Sequence, residues 1–121
     1  MFRKTLSILV LSVALGTSTA ALAHPKLISA DPPANGRTAA SPPALRITFS
    51  EAVFPNFSGV VVKDHAGQAV KTGHATVDPA DKRVLVVPLA KPLAAGMYHV
   101  EWHAVAADTH RVTGQYMFTI G

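Results

Sequence analysis

There is no cysteine in this 121-residue chain. An exported domain of modest size often relies on disulfides; this one must be held by packing alone. The same absence excludes a blue-copper site, Cys-ligated zinc and iron–sulfur clusters, all of which need a thiolate. Methionine is scarce too, with three residues, one of them Met1. After the first two dozen residues no apolar run approaches the roughly 20 residues that cross a bilayer. Lys and Arg are scattered without runs, which argues against a nucleic-acid surface. Any metal site must therefore be built from His, Asp, Glu, Met or a chain terminus.

What is present begins with an export leader over residues 1–23. Arg3 and Lys4 form a basic start, Leu6 to Leu15 is largely apolar, and Ala21-Leu22-Ala23 is a small-residue cleavage site. Cleavage there leaves 98 of the 121 residues, enough for one domain, 24–121, with one modest core. The leader holds two of the eleven basic residues and none of the seven acidic ones, so the processed chain carries +2 rather than +4. The leader and the absence of a later span predict an exported protein.

The processed chain reads as short strands between Pro, Gly and Asx turns. Lys26 to Ala30 is a first strand, ended by Asp31-Pro32-Pro33-Ala34-Asn35-Gly36. Leu45, Ile47 and Phe49 alternate with polar residues, the period of a half-buried strand. Strands are also expected at Gly59 to Lys63, Ala69 to Val77, Arg83 to Val87 (buried on both faces), Met97 to Ala104 and Val112 to Ile120. Asp64-His65-Ala66-Gly67 is a hairpin loop, and Met97 and Met117 fall in strands as core residues. Seven strands without a substantial helix predict an all-β Greek-key barrel or sandwich.

Chemistry concentrates at two places. His24 would become the first residue after cleavage, so its α-amine and imidazole Nδ1 can close one chelate ring on a metal ion. The amine's ordinary pKa is near 8, so a metal displaces only one proton at near-neutral pH. Pro25 has no amide hydrogen, which prevents the metal from wrapping into the next peptide bond. Asp108-Thr109-His110 adds a carboxylate and a second imidazole two residues apart, on one side of an extended segment. Two imidazoles, an amine and a carboxylate suit Cu(II).

His24-Pro25-Lys26-Leu27, Phe49-Ser50-Glu51, Phe57-Ser58-Gly59, Tyr98-His99-Val100-Glu101-Trp102 and Val105-Ala106-Ala107-Asp108-Thr109-His110, with Gly114 and Phe118, occur in that order. Over residues 24–121 the chain thus resembles the CopC family of periplasmic copper-resistance proteins. The resemblance implies a seven-stranded Greek-key barrel like that of cupredoxins. It implies one Cu(II) per chain, held by the amine and imidazole of His24, by Asp108 and by His110. Glu51 matches a family glutamate near the copper, as a weak ligand or a supporting group. The resemblance also implies a binder that sequesters or carries copper, handing it to an inner-membrane transporter of the CopD type; the chain is expected to act as a monomer.

Two departures stand out. Many family members have a Met-rich segment forming a Cu(I) site, where this chain has Val60-Val61-Val62-Lys63-Asp64-His65-Ala66-Gly67. It therefore reads as a Cu(II)-only member. Arg111 stands where proline commonly follows the family histidine. The other histidines are weaker candidates: His99 and His103 lie roughly 13 Å apart along one strand, and His65 and His74 fall on loops. One competing reading is a copper-dependent oxidative enzyme with an N-terminal histidine brace; Asp108 occupying an otherwise open position and the small size argue against it, and no enzyme is expected. The other is a metal-free immunoglobulin-like interaction module.

Overall fold

The computed structural model describes Ser12 and residues 24–121; the leader expected at 1–23 otherwise lies outside the described residues. Among the described residues nine strands follow in order: β1 Leu27–Asp31, β2 Gly36–Thr38, β3 Ala44–Phe49, β4 Gly59–Asp64, β5 Ala69–Val70, β6 Thr76–Asp78, β7 Asp81–Pro88, β8 Gly96–Val105 and β9 Arg111–Ile120. A 3₁₀ turn, Pro55–Phe57, precedes β4. Two sheets form, with strand orders β1-β3-β7-β6 and β2-β9-β8-β4-β5. They do not close on each other, so of the two expected forms the sandwich is the one adopted.

Period-2 alternation decides which side chains meet between the sheets. β3 sends Leu45, Ile47 and Phe49 inward, β7 sends Leu85 and Val87, and the facing sheet answers with Val62, Tyr98, Val100, Trp102, Ala104, Tyr116, Phe118 and Ile120. Phe49 meets Trp102 edge-on, with centroids 5.2 Å apart, and Tyr98 stacks on Phe118 at 5.4 Å. Such aromatic pairs stabilise by about 0.5–1.5 kcal/mol beyond the area they bury. The Tyr98 hydroxyl donates to the Ala94 carbonyl at 2.7 Å. Gly114 lies opposite Trp102 in the ladder, and a Cβ there would fall 2.3 Å from the indole Cζ2. Only glycine leaves room for this ring.

Three expectations need correction. The strand expected over 69–77 divides: β5 pairs with β4, while β6 pairs with β7 in the other sheet. Between them Thr72 bridges to Leu89 and the Gly73 amide donates to Pro88, so the chain crosses from one sheet to the other. Gly36, read as the end of a turn, opens a short strand, Gly36–Thr38, parallel to β9. Asn35 holds it there through two hydrogen bonds with the Met117 backbone, and the Arg37 guanidinium donates to Gly121. Finally, Met97 is exposed and Met117 half-buried, because Tyr98, Val100, Phe118 and Ile120 take the inward positions of β8 and β9. Neither methionine is core.

The hairpin at 64–67 forms as expected. Asp64 Oδ1 accepts from the amides of Ala66 and Gln68, and Gly67 takes a positive φ of 80°. The β8–β9 ladder is continuous from Gly96↔Ile120 to Val105↔Arg111. Its closing loop, 106–110, carries Asp108 and His110 at one end of the sandwich.

Candidate metal centre

Two distant segments are brought to that end by backbone fixation. On the N-terminal side, the Pro25 ring is fully buried. The Lys26 amide donates to Ser50 Oγ at 2.9 Å, and the Ser50 amide donates to the Lys26 carbonyl at 2.8 Å. This reciprocal pair, continued by Leu27↔Phe49, straps the start of the domain to the end of β3. His24 is thereby held one residue beyond a buried anchor.

On the other side, the Phe54 amide donates to the Val105 carbonyl at 2.8 Å and the Val105 amide to Ser58 Oγ at 3.1 Å. The end of β8 is thus tied to the 3₁₀ turn. Ala106 is buried, and its carbonyl accepts from the Thr109 amide at 2.9 Å, closing the loop. Thr109 takes φ 63°, a conformation that β-branched residues rarely adopt. Asp108 Oδ1 accepts from the His110 amide at 3.2 Å, which orients the carboxylate.

The two segments meet through the carboxylate. His24 Nδ1 lies 2.7 Å from Asp108 Oδ2 across 84 residues of sequence. His110 Nδ1 is 3.9 Å from the same oxygen, and the two imidazoles stand 5.3 Å apart, tilted by 39°. One ligand atom from each of His24, Asp108 and His110 lies within 4.8 Å of the others. Two donors on opposite sides of an ion with bonds of about 2.0–2.1 Å would be separated by little less, so the three side chains stand near the spacing that a shared ion requires. The Asp108 side chain is 2% exposed, whereas those of His24 and His110 are 54% and 67% exposed. A buried carboxylate therefore lies beneath two accessible imidazoles. Burying an unpaired carboxylate is costly, and the imidazole Nδ1–H of His24 offsets that cost here.

Glu51 follows Ser50 but does not belong to the cluster defined by those distances. Arg111 opens β9 opposite Val105, exposed and one residue past His110. His99, Glu101 and His103 share the outer face of β8, as the alternation predicts, and His65 and His74 are exposed on loops. Burial, and then the nearby Arg111 charge, lower the His103 pKa from its ordinary 6.5. Sequence reasoning did not identify Ser50, the buried role of Pro25 or the strained Thr109. A serine just before Glu51 gives no local sign of a partner 24 residues earlier.

Residues 27–121 match the CopC domain family. This chain belongs to the CopC family. CopC-family proteins are copper-binding resistance proteins rather than enzymes, so the oxidative-enzyme alternative is set aside. Among its CopC relatives, Copper resistance protein C of Pseudomonas syringae pv. tomato is 34% identical over 127 residues, covering 99% of this chain and 98% of the relative. Protein YobA of Escherichia coli K12 is 38% identical over 98 residues, 81% of this chain and 79% of the relative. The crystal structure of PcoC, a methionine rich copper resistance protein from Escherichia coli, superposes with a TM-score of 0.74. It is 36% identical and covers 82% of this chain and 100% of PcoC. This CopC chain, by contrast, has only Met97 and Met117 beyond Met1.

Proposed function

We propose that this protein, exported and cleaved before His24, is a periplasmic Cu(II) binder and carrier serving copper resistance. The observation that carries the reading is the contact of His24 Nδ1 with the buried Asp108 carboxylate, with His110 beside it. Nδ1 is the ring nitrogen that can form a chelate with the residue's own α-amine, and it is the one turned toward Asp108.

Cu(II) takes the amine and Nδ1 of His24, the His110 imidazole and an Asp108 oxygen, one ion per chain. Three nitrogens and an oxygen favour tetragonal Cu(II), and the lack of a sulfur donor disfavours Cu(I). On binding, the α-amine and the Nδ1–H shared with Asp108 each give up a proton. The carboxylate then exchanges a hydrogen bond for a bond to the cation, which compensates its buried charge. Glu51, on the segment strapped to Lys26, serves as a weak outer ligand or supporting group. Exposure of both imidazoles leaves the ion open to an incoming acceptor, here an inner-membrane copper transporter of the CopD type. The carrier itself acts as a monomer.

Electron paramagnetic resonance of the Cu(II)-loaded chain beginning at His24 tests the ligand set. Nitrogen hyperfine structure from three nitrogens is expected, falling to two in His110→Ala. An unchanged pattern in that variant would exclude His110 from the site.

A further inference from the structure

Seven aromatic residues lie in 24–121, and two of them, Phe54 and Phe57, are exposed by 45% and 66%. Both belong to one 3₁₀ turn, closed by the Phe57 amide donating to the Phe54 carbonyl at 3.1 Å. The surrounding segment, Ala52-Val53-Phe54-Pro55-Asn56-Phe57-Ser58-Gly59, contains no charged residue. The turn is also beside the metal centre. Phe54 is bonded to Val105, three residues before Asp108, a chain distance of at most about 10 Å.

The charges around this turn are of one prevailing sign. Phe54, Ala107, Val77 and Lys82 border one apolar hollow, and the Lys82 carbonyl accepts from the Val53 amide. Arg111 sits opposite Val105 in the ladder. Neither Lys82 nor Arg111 has an ion-pair partner among the described residues. The nearby acids are largely neutralised: Asp78 is held by Arg46, Asp81 by Arg83, Glu101, which borders the same hollow as Arg111, is paired with Lys63, and Asp108 is buried against His24. Glu51 is the one opposing charge on the adjoining segment.

We infer that the Phe54–Phe57 turn docks this protein on an anionic lipid surface, with the two phenyl rings entering the headgroup boundary and Lys82 and Arg111 facing lipid phosphates. Exposed aromatic side chains flanked by cations bind at such a boundary through buried apolar area plus electrostatic attraction. A lipid surface fits better than a protein groove. Two rings standing out from a three-residue turn need depth rather than a matching shape, and headgroups can rearrange to meet isolated cations. Docking through this turn holds His24 and His110 close to the bilayer, where a membrane-embedded copper acceptor would be reached by lateral search. The purpose of the surface rests on the copper-carrier reading; its detection does not.

The test is co-sedimentation of the chain beginning at His24, whose residues comprise the whole described fold, with vesicles of phosphatidylethanolamine and phosphatidylglycerol, and separately of phosphatidylcholine. Phe54→Ser/Phe57→Ser and Lys82→Glu variants are run alongside, each with a Cu(II) titration and a thermal melt. The anionic vesicles are expected to bind at least about ten-fold more tightly than the zwitterionic ones, and added salt to weaken binding. The double Phe variant is expected to lose binding by at least about ten-fold and Lys82→Glu by roughly ten-fold, with copper affinity unchanged and each variant still melting cooperatively. No binding to either vesicle would overturn the inference and assign the turn to a protein partner. Equal binding by the double variant, or equal binding to both vesicle types, would overturn it as well. Vesicle binding without copper binding would remove the carrier reading and leave this one standing.

Discussion

Thr109 shows what the metal loop asks of a single residue. Its φ of 63° places a β-branched side chain in the left-handed region, between the two residues whose side chains meet His24. That conformation costs an ordinary L-residue about 1–2 kcal/mol, while glycine there would cost about 0.5–1 kcal/mol in chain entropy. Thr109→Gly is therefore expected to raise stability by about 0.5–1 kcal/mol, read from the denaturant midpoint. A loss of stability would mean that the threonine side chain makes a compensating contact. The residue types of the cluster were legible from the sequence: a histidine directly after a small-residue stretch expected to be cleaved, and an Asp-x-His before a final strand. What was not legible is how they are held. Pro25 acts through burial and Ser50 through a reciprocal hydrogen bond with Lys26, and both depend on long-range packing.

The β8–β9 hairpin is the element that positions the loop, and its inner face is tightly filled. Gly114→Ala would set a methyl group 2.3 Å from the Trp102 ring, a buried indole packed against Phe49 with little room to move. Overpacking of that kind costs about 1–3 kcal/mol or more, so a fall of about 3 kcal/mol in unfolding free energy is expected. Its outer face carries a titratable marker. The His103 pKa is lowered from 6.5 by burial and by Arg111, so the folded state favours the neutral ring. Its contribution to stability is complete above 6.5 and is lost as pH falls from 6.5 through the lowered value. In an NMR titration the His103 ring should protonate below 6.5, and Arg111→Ala should move its pKa upward; no upward movement would remove Arg111 as a cause.

The element scale also shows why the sequence reading was partial. Strong alternation in β3, β8 and β9 gave their existence and their inward faces. The stretch 69–77 kept an extended pattern while changing sheets, and local periodicity carries no information about which neighbour a strand joins. Gly36–Thr38 has too few apolar residues to signal a strand and is defined only by its parallel partner some 80 residues later. Met97 and Met117 read as core because they fall within strands, but alternation with Tyr98 and Phe118 turns them outward.

For the molecule as a whole, a cysteine-free sandwich brings its N-terminal segment and the β8–β9 loop to one end, with a buried carboxylate under two exposed imidazoles. The central claim is that this end becomes a complete Cu(II) site when His24 is the first residue. The direct test is a Cu(II) titration against a competing chelator, on the chain beginning at His24 and on the same chain with one alanine added in front. The chain beginning at His24 should bind one equivalent tightly. The extended chain should lose more than the roughly 10–100-fold caused by disturbing a ligand's supporting hydrogen bond, because an α-amine nitrogen is removed from the metal. Equal affinity in the two chains would contradict the account, since the site would then owe nothing to the terminal amine of His24.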